Sequence, residues 1–228
     1  MRYGAVSYLN ARPLVEGLDP LLLDVPARLV ERFEKDEFDV ALLPVVAGEA
    51  SGRPRVGRLG VAADGAVESV LLFHDCDLRE IRTLRLDPAS RTSRILALLI
   101  LRELYGVEPE LVGRAAKADA ELVIGDSALL LGAGPEARLD LAEEWKRWTG
   151  LPFVFAAWYG DPEAERHLEE AFARGQEQLG RYALECPLEL PRSVLERYLR
   201  ERIRFRIGDP EREGLARFLE TARRRALL

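Results

Sequence analysis

The pattern that most constrains the fold is a strand–helix–strand unit that occurs twice along the chain. Its strand, helix and second strand are predicted at 2–9, 26–33 and 38–43 in the first unit, and at 83–86, 90–105 and 120–124 in the second. Short apolar strands are typical of buried sheets, and strand–helix–strand units build parallel sheets. The repeat therefore predicts an α/β protein with two similar lobes.

Two further apolar strands, at 69–73 and 153–158, flank the second unit. We expect the chain to leave the first lobe through one and to return through the other, with a hinged cleft between the lobes. The predicted division is residues 1–75 plus 158–228 for the first lobe and residues 76–157 for the second. The C-terminal helices should pack on the first lobe, and the glycine-rich segment 51–65 is predicted to be an edge strand.

Composition and charge exclude several classes of protein. The net charge is −6, and the densest basic run lies at Arg223–Arg225, which disfavours binding to nucleic acid or to an anionic membrane. The longest apolar stretch, Ile95–Leu101, is too short to span a bilayer, and no export signal is recognisable. The two cysteines and two histidines have no metal-site spacing. We therefore expect a cytoplasmic protein without metal or cofactor; the oligomeric state stays open.

The run Ser90-Arg91-Thr92-Ser93 directly precedes an apolar helix. Free backbone N–H groups at a helix start, beside hydroxyls and a guanidinium, suit a carboxylate or a phosphate. Plain helix capping by Ser90 explains the run about equally well. The balance shifts toward binding because the chain has only seven Ser and four Thr, and three of these lie in this run.

Asn10 and Ser69 are the two other polar candidates in the predicted cleft. Asn10 is the only asparagine of the chain and follows the first strand; it is either a helix cap or an amide that orients a hydroxyl or carboxylate without adding charge. Ser69 opens a buried strand, so its hydroxyl needs either a structural partner or a substrate.

The run Gly125-Asp126-Ser127 follows the strand at 120–124 and has two interpretations. A serine hydrolase of the GDSL type carries such a run near its N-terminus and needs a downstream Asp-x-x-His. Here His167 has no aspartate at that spacing, so the serine would lack its base. We therefore interpret Asp126 as a cap and cleft residue.

Five ordered blocks of the sequence resemble the chorismate dehydratases of the futalosine route to menaquinone. The blocks are Val6–Leu14, Ser69–Leu72, Ser90–Ser93, Ile124–Leu129 and Glu144–Phe155. The resemblance implies a periplasmic-binding-protein type II fold, used by an enzyme. It also implies the reaction, in which the dicarboxylate chorismate loses water to give 3-[(1-carboxyvinyl)oxy]benzoate.

Residue roles follow from this resemblance and from the chemistry of the reaction. Asn10 and Ser69 are the expected catalytic residues, and the expected substrate-binding residues are Tyr8, Ser90, Arg91, Thr92, Ser93, Gly125 and Asp126. The proposed base is the enolpyruvyl carboxylate of the substrate itself, with Asp126 as the protein alternative.

Three rival functions remain. The sister enzyme, 1,4-dihydroxy-6-naphthoate synthase, should have a histidine in a cleft loop, and neither His74 nor His167 lies in a predicted cleft block. A non-catalytic solute-binding protein would share the fold. An effector-binding domain of a transcription regulator is disfavoured because no helix-turn-helix precedes the first strand.

Overall fold

The computed structural model describes residues 1–228 and contains two mixed β-sheets with helices packed on them. In chain order the strands are β1 (Tyr3–Val6), β2 (Leu21–Asp24), β3 (Val40–Pro44), β4 (Arg55–Ala63), β5 (Val70–His74), β6 (Thr83–Arg85), β7 (Glu110–Leu111), β8 (Ala120–Ile124), β9 (Arg138–Asp140), β10 (Phe153–Gly160) and β11 (Arg204–Arg206). The α-helices are α1 (Pro26–Glu34), α2 (Val45–Ala50), α3 (Arg91–Ile100), α4 (Gly125–Leu131), α5 (Leu141–Thr149), α6 (Glu165–Gln176), α7 (Leu179–Glu185), α8 (Arg192–Arg197) and α9 (Asp209–Arg224).

Shorter helical segments complete the chain. Four of them are short turns: Leu78–Glu80 and Pro162–Ala164 are 3₁₀ turns, and Leu101–Tyr105 and Tyr198–Arg202 are π-helical turns that follow α3 and α8 directly. The fifth is a 3₁₀ helix, Leu9–Leu14, which follows β1. The first strand was predicted to reach residue 9, but it ends at Val6 because this 3₁₀ helix begins so soon after it.

The two sheets repeat the same strand order, which confirms the repeat seen in the sequence. Read from one edge to the other, the larger sheet has the order β2-β1-β3-β10-β4-β11 and the smaller sheet has the order β7-β6-β8-β5-β9. The first five strands of the larger sheet therefore correspond one to one to the strands of the smaller sheet, and β11 is an addition at the edge. In the larger sheet β1 pairs in parallel with β2 and β3, and β10 is antiparallel to β3. In the smaller sheet β6 pairs in parallel with β7 and β8, and β5 is antiparallel to β8. The protein is therefore α/β with two lobes, as predicted.

The chain changes lobes between β4 and β5 and again between β9 and β10. The boundaries predicted from sequence, 75/76 and 157/158, fall just after β5 and inside β10. Because β5 belongs to the smaller sheet and β10 to the larger one, we propose a division within 64–69 and within 150–152 instead.

The C-terminal segment packs on the larger lobe, as expected. The hydroxyl of Tyr182 in α7 donates to the Glu16 carboxylate over 2.5 Å, and Arg174 in α6 donates to the backbone oxygen of Glu16 over 2.9 Å. Strand β11 pairs with β4. The prediction that 51–65 forms an edge strand was therefore wrong, because three residues of the tail, Arg204–Arg206, cover that edge.

The returning strand β10 lies in an aromatic cluster between the lobes. The Trp145 ring of α5 is 5.5 Å from Phe153 and 6.0 Å from Phe218 of α9, centroid to centroid. Its indole N–H donates to the backbone oxygen of Pro152 over 3.2 Å. These rings are fully buried in one continuous core, so they fix the point where the chain re-enters the larger lobe. None of the helices is long and apolar enough to cross a bilayer; the cytoplasmic location stays a prediction.

Candidate active site

A small cavity lies between the lobes, at the carboxyl ends of β1, β3 and β8, with a volume of about 60 Å³. Apolar side chains form most of its wall, and the polar lining comes from tyrosine, asparagine and serine. The lining residues are Val6, Tyr8, Asn10, Pro26, Pro44, Val61, Val67, Ser69, Val70, Ser90, Ser93, Ile124, Gly125, Phe155 and Ala156. No charged side chain is among them, so any charge in the cavity must come from a ligand.

Five helices begin at this cavity. The residues at or just before their starts are Tyr8, Pro26, Pro44, Ser90 and Ile124. This convergence follows from the topology, because a helix succeeds each strand whose carboxyl end reaches the cleft. The first N–H groups of a helix carry partial positive charge and favour anions. At two of these starts an N–H group already has a protein acceptor: Leu9 donates to Asp126 and Val46 donates to Thr92. The other three starts, among them those of α3 and α4, make the cavity suited to a negatively charged ligand although it holds no cationic side chain.

Three side chains from distant parts of the chain form a hydrogen-bonded group, which we call the Tyr198 network. Asn10 Nδ2 donates to the Tyr198 hydroxyl over 2.9 Å, and the Tyr198 hydroxyl donates to Ser69 Oγ over 2.9 Å. Tyr198 is fully buried, and Asn10 and Ser69 are 8% and 1% exposed. Burial raises the pKa of Tyr198 well above its ordinary value, so this phenol stays neutral.

The structure corrects the predicted local role of Asn10. Tyr8 occupies the position before the 3₁₀ helix, and Asn10 lies inside that helix with its amide directed to Tyr198. It is therefore not a helix cap. Ser69 has the buried partner that its position demanded, and it also lines the cavity.

Tyr198 is a residue that the sequence analysis missed. It begins a π-helical turn after α8, in which the N–H of Ile203 donates to the Tyr198 backbone oxygen over 3.2 Å. π-Helical turns are frequent at functional sites. One signal was present in the sequence: Leu195, Tyr198 and Leu199 share a helix face, and a tyrosine on a buried face needs a partner for its hydroxyl.

Ser90 caps α3, as predicted. Its Oγ accepts hydrogen bonds from the backbone N–H and the hydroxyl of Ser93, each over 3.2 Å. Both serines line the cavity. The N–H groups of Arg91 and Thr92 begin the helix and have no acceptor within it, so the start of α3 provides both hydroxyls and backbone donors beside the cavity.

Arg91 and Thr92 do not line the cavity. The Arg91 side chain is exposed and lies in a separate surface groove of about 540 Å³ with Arg94 and Arg223. Thr92 Oγ1 accepts from the backbone N–H of Val46, the second residue of α2 in the other lobe, over 3.1 Å. Helical geometry explains the outcome, because consecutive residues of a helix start point in different directions.

Asp126 also bonds across the cleft. Its Oδ1 accepts from the backbone N–H of Leu9 over 3.0 Å, so it satisfies the start of the 3₁₀ helix in the larger lobe and makes no capping bond within its own helix, α4. Burial raises the pKa of Asp126, although the Leu9 N–H and Arg12 act in the opposite direction. We call the Thr92–Val46 and Asp126–Leu9 bonds the interlobe hydrogen bonds.

Gly125 and Tyr8 meet between the lobes. Gly125 has a φ of +66°, and a Cβ at this position would lie 2.7 Å from Cε1 of the Tyr8 ring. A larger residue would therefore be strained and would displace the ring. Burial, with Asp87 and Asp126 nearby, raises the pKa of Tyr8 to about 12.

Of the nine predicted site residues, the structure brings six to the cavity: Tyr8, Asn10, Ser69, Ser90, Ser93 and Gly125. Arg91, Thr92 and Asp126 do not line it. Besides Tyr198, the apolar wall was missed, including Val61, Val67 and Phe155. Neither histidine lines the cavity: His74 contacts the Cys76 backbone oxygen at 2.8 Å, and His167 contacts the Tyr3 hydroxyl at 2.7 Å.

Comparison with known proteins identifies a family. A family model described as menaquinone biosynthesis matches residues 1–224. A protein of Thermus thermophilus named chorismate dehydratase is 31% identical over 191 residues, which cover 70% of each chain. A chorismate dehydratase of Campylobacter jejuni is 25% identical over 241 residues, which cover 98% of each chain.

Solved structures establish the fold. Protein AF1704 from Archaeoglobus fulgidus aligns with a TM-score of 0.77 at 15% identity, over 100% of this chain and 98% of the other. The ligand-binding component of an ABC-type import system from Staphylococcus aureus aligns with a TM-score of 0.63 at 11% identity, over 100% and 92%. The predicted periplasmic-binding-protein-like fold is confirmed.

Proposed function

The chain belongs to the menaquinone biosynthesis family, and from this premise we propose that it is a hydro-lyase that converts chorismate to 3-[(1-carboxyvinyl)oxy]benzoate and water. The observation that carries the proposal is the interlobe cavity, in which neutral hydrogen-bonding side chains face the starts of five helices without any charged side chain. Two relatives named chorismate dehydratase support the choice of reaction.

Helix starts suit the two carboxylates of this substrate. Ser90, Ser93 and the first N–H groups of α3 lie together at the cavity, and α4 begins on the same side of the cleft at Gly125. Backbone dipoles fixed in a water-poor site stabilise negative charge without reorganising during the reaction. In this proposal they hold the substrate and also stabilise the electron density that moves toward the ring carboxylate.

The reaction needs orientation more than it needs a strong base. The proton on ring carbon 3 is conjugated through the C1–C2 double bond to the ring carboxylate, so its removal gives a vinylogous enolate that expels the C4 hydroxyl and becomes aromatic. We propose that Asn10 and Ser69 hold the C4 hydroxyl, since both line the cavity within one network. Rigid positioning of this kind contributes strongly to rate.

The position of Asp126 favours the substrate's own enolpyruvyl carboxylate as the base. Oδ1 of Asp126 accepts the Leu9 N–H, and the residue does not line the cavity. Within the lining itself no His, Asp, Glu or Lys is available to take a proton. We therefore propose substrate-assisted proton removal and keep Asp126 outside the chemical step.

Substrate entry requires the lobes to separate. Ligand pockets usually measure roughly 300–1,000 Å³, whereas this cavity measures about 60 Å³. We propose that the structure is a closed form and that the interlobe hydrogen bonds break on opening. Small-angle scattering should show a larger radius of gyration for the free protein, which includes open molecules, than for the protein with chorismate. An unchanged radius of gyration when the ligand is bound contradicts the hinge.

The test of the function is to incubate the purified protein with chorismate, without added metal or cofactor, and to follow absorbance and mass. An aromatic product lighter by one water supports the dehydratase. Chorismate that binds but persists supports a solute-binding protein. The sister synthase is disfavoured because neither histidine lines the cavity, and turnover of its larger cyclic substrate instead of chorismate would reverse that choice.

A further inference from the structure

The Tyr198 network has a direction. A tyrosine hydroxyl carries a single hydrogen, and an asparagine side-chain nitrogen only donates. Tyr198 is fully buried, and Ser69 Oγ is the only partner of its hydroxyl besides Asn10. Since Asn10 Nδ2 donates to the Tyr198 oxygen, the single hydrogen of Tyr198 goes to Ser69 Oγ. The hydrogen bonds therefore run from Asn10 through Tyr198 to Ser69.

This direction determines what the network offers to the cavity. Ser69 Oγ already accepts from Tyr198, and the hydroxyl hydrogen of Ser69 has no acceptor in the protein. Asn10 uses Nδ2 for Tyr198, and its Oδ1 receives no hydrogen bond from the protein. Because Ser69 and Asn10 both line the cavity, the Ser69 hydroxyl hydrogen and the Asn10 Oδ1 provide a donor and an acceptor there, and together they complement a single hydroxyl group.

We propose that Tyr198 is a positioning residue that makes Ser69 the donor and Asn10 the acceptor for one hydroxyl group of the substrate. This inference rests on the proposed function, in which that group is the C4 hydroxyl of chorismate. Asn10 Oδ1 accepts the hydroxyl hydrogen, and Ser69 donates to the hydroxyl oxygen.

Donation by Ser69 matters most when the hydroxyl departs. The enolpyruvyl carboxylate takes the C3 proton, and the C4–O bond then breaks as the C3–C4 double bond forms and completes the aromatic ring. The departing hydroxide takes the proton back from the carboxylate, so that one water is released and the carboxylate is regenerated. Negative charge grows on the departing oxygen, so a donor fixed in advance is worth more there than in the bound substrate. Tyr198 keeps its proton throughout, because its burial disfavours the phenolate.

Tyr198→Phe removes the hydroxyl and keeps the buried ring. With Ser69 free to turn its hydrogen elsewhere, we expect kcat to fall roughly 10- to 100-fold, less than for direct loss of a donor to the reacting oxygen, with KM within about twofold. The matched control is Tyr159→Phe, which removes another fully buried tyrosine hydroxyl, one that donates to Glu49 over 3.0 Å outside the cavity. Its kcat should stay at the wild-type value even if its melting temperature falls.

A double mutant separates positioning from general structural support. If Tyr198 acts through Ser69, adding Tyr198→Phe to Ser69→Ala should change kcat by no more than about twofold. The proposal is overturned if the fold-loss of kcat in the double mutant equals the product of the fold-losses in the two single mutants. It is also overturned if Tyr198→Phe has the wild-type kcat.

Asn10→Asp provides a second variant in case Tyr198→Phe does not fold. The new carboxylate keeps the shape of asparagine but accepts from Tyr198, so the Tyr198 hydrogen turns away from Ser69. We expect kcat at saturating chorismate to fall at least as far as in Tyr198→Phe, and wild-type kcat overturns the direction. Turnover of chorismate by the wild-type protein is measured first: if the wild type is inactive the proposed function fails, whereas an active wild type beside an unaffected Tyr198→Phe rejects only the role of Tyr198.

Discussion

The Tyr198 network and the interlobe hydrogen bonds lie in the same cleft, yet only the network has residues that line the cavity. In the network, Ser69 keeps a free hydrogen and Asn10 keeps a free oxygen toward the cavity. In the interlobe bonds, Thr92 Oγ1 and Asp126 Oδ1 accept backbone N–H groups of the opposite lobe, and neither residue lines the cavity. A polar residue of the cleft is thus a candidate for ligand binding only if its free hydrogen-bonding atoms face the cavity after the lobes close.

The largest effect should come from Ser69→Ala. This substitution removes the donor that we propose for the departing hydroxyl, and loss of one such donor typically costs about 100- to 1,000-fold in kcat. Steady-state kinetics with chorismate measure it, with circular dichroism to confirm that the protein is folded. Unchanged turnover in a folded Ser69→Ala protein would remove Ser69 from the mechanism.

Thr92→Val should act on closure rather than on chemistry. Valine has a similar shape but cannot accept the Val46 N–H, and a buried donor without a partner costs about 1–3 kcal/mol. The closed form loses this energy and the open form does not, so we expect KM for chorismate to rise roughly tenfold. At saturating substrate kcat should stay near wild type; a selective loss of kcat would place Thr92 with the network instead.

Asp126→Asn should reveal a smaller, pH-dependent effect. Burial raises the pKa of Asp126 in the folded protein, so folding favours the protonated form, and the wild type loses stability as pH rises through the folded-state pKa. Asparagine has no such titration and can still accept the Leu9 N–H. The melting temperature of Asp126→Asn relative to wild type should therefore be higher at about pH 7 than at about pH 4. The opposite trend would mean that the ionised carboxylate is stabilised by Leu9 and Arg12.

Arg91→Ala should have the smallest effect. Arg91 adjoins Ser90 in the sequence, but its exposed side chain lies in the surface groove. Both kcat and KM for chorismate should stay within about twofold of wild type, as for most surface substitutions. A loss of tenfold or more in kcat/KM would show that this guanidinium reaches the substrate in another conformation.

Much of this fold was predictable because it follows from local patterns. Apolar strands at 38–43 and 120–124, each following a strand and a helix, gave the repeated lobe. Strand β11, which was not predicted from the sequence, has only three residues, Arg204–Arg206, and two of them are exposed arginines. A segment so short and so polar carries no strand signal of its own, and only pairing with β4 makes it a strand.

The site was predictable in position but not in detail. The sequence indicates which residues follow the strands, and Asn10, Ser69 and Ser90 are therefore at the cleft. It does not show which bonds cross the cleft, since those depend on how the lobes pack; Thr92 and Asp126 were assigned to the substrate for this reason. Tyr198 was missed because its partners, Asn10 and Ser69, lie 188 and 129 residues away along the chain.

The most direct test incubates wild type, Ser69→Ala and Arg91→Ala side by side with chorismate, and measures by mass spectrometry the rate at which one water is lost. We predict that wild type and Arg91→Ala form the aromatic product at similar rates and that Ser69→Ala is slower by about 100-fold or more. Unchanged chorismate with the folded wild type, or equal rates for all three proteins, would contradict the assignment of the interlobe cavity as the site of dehydration.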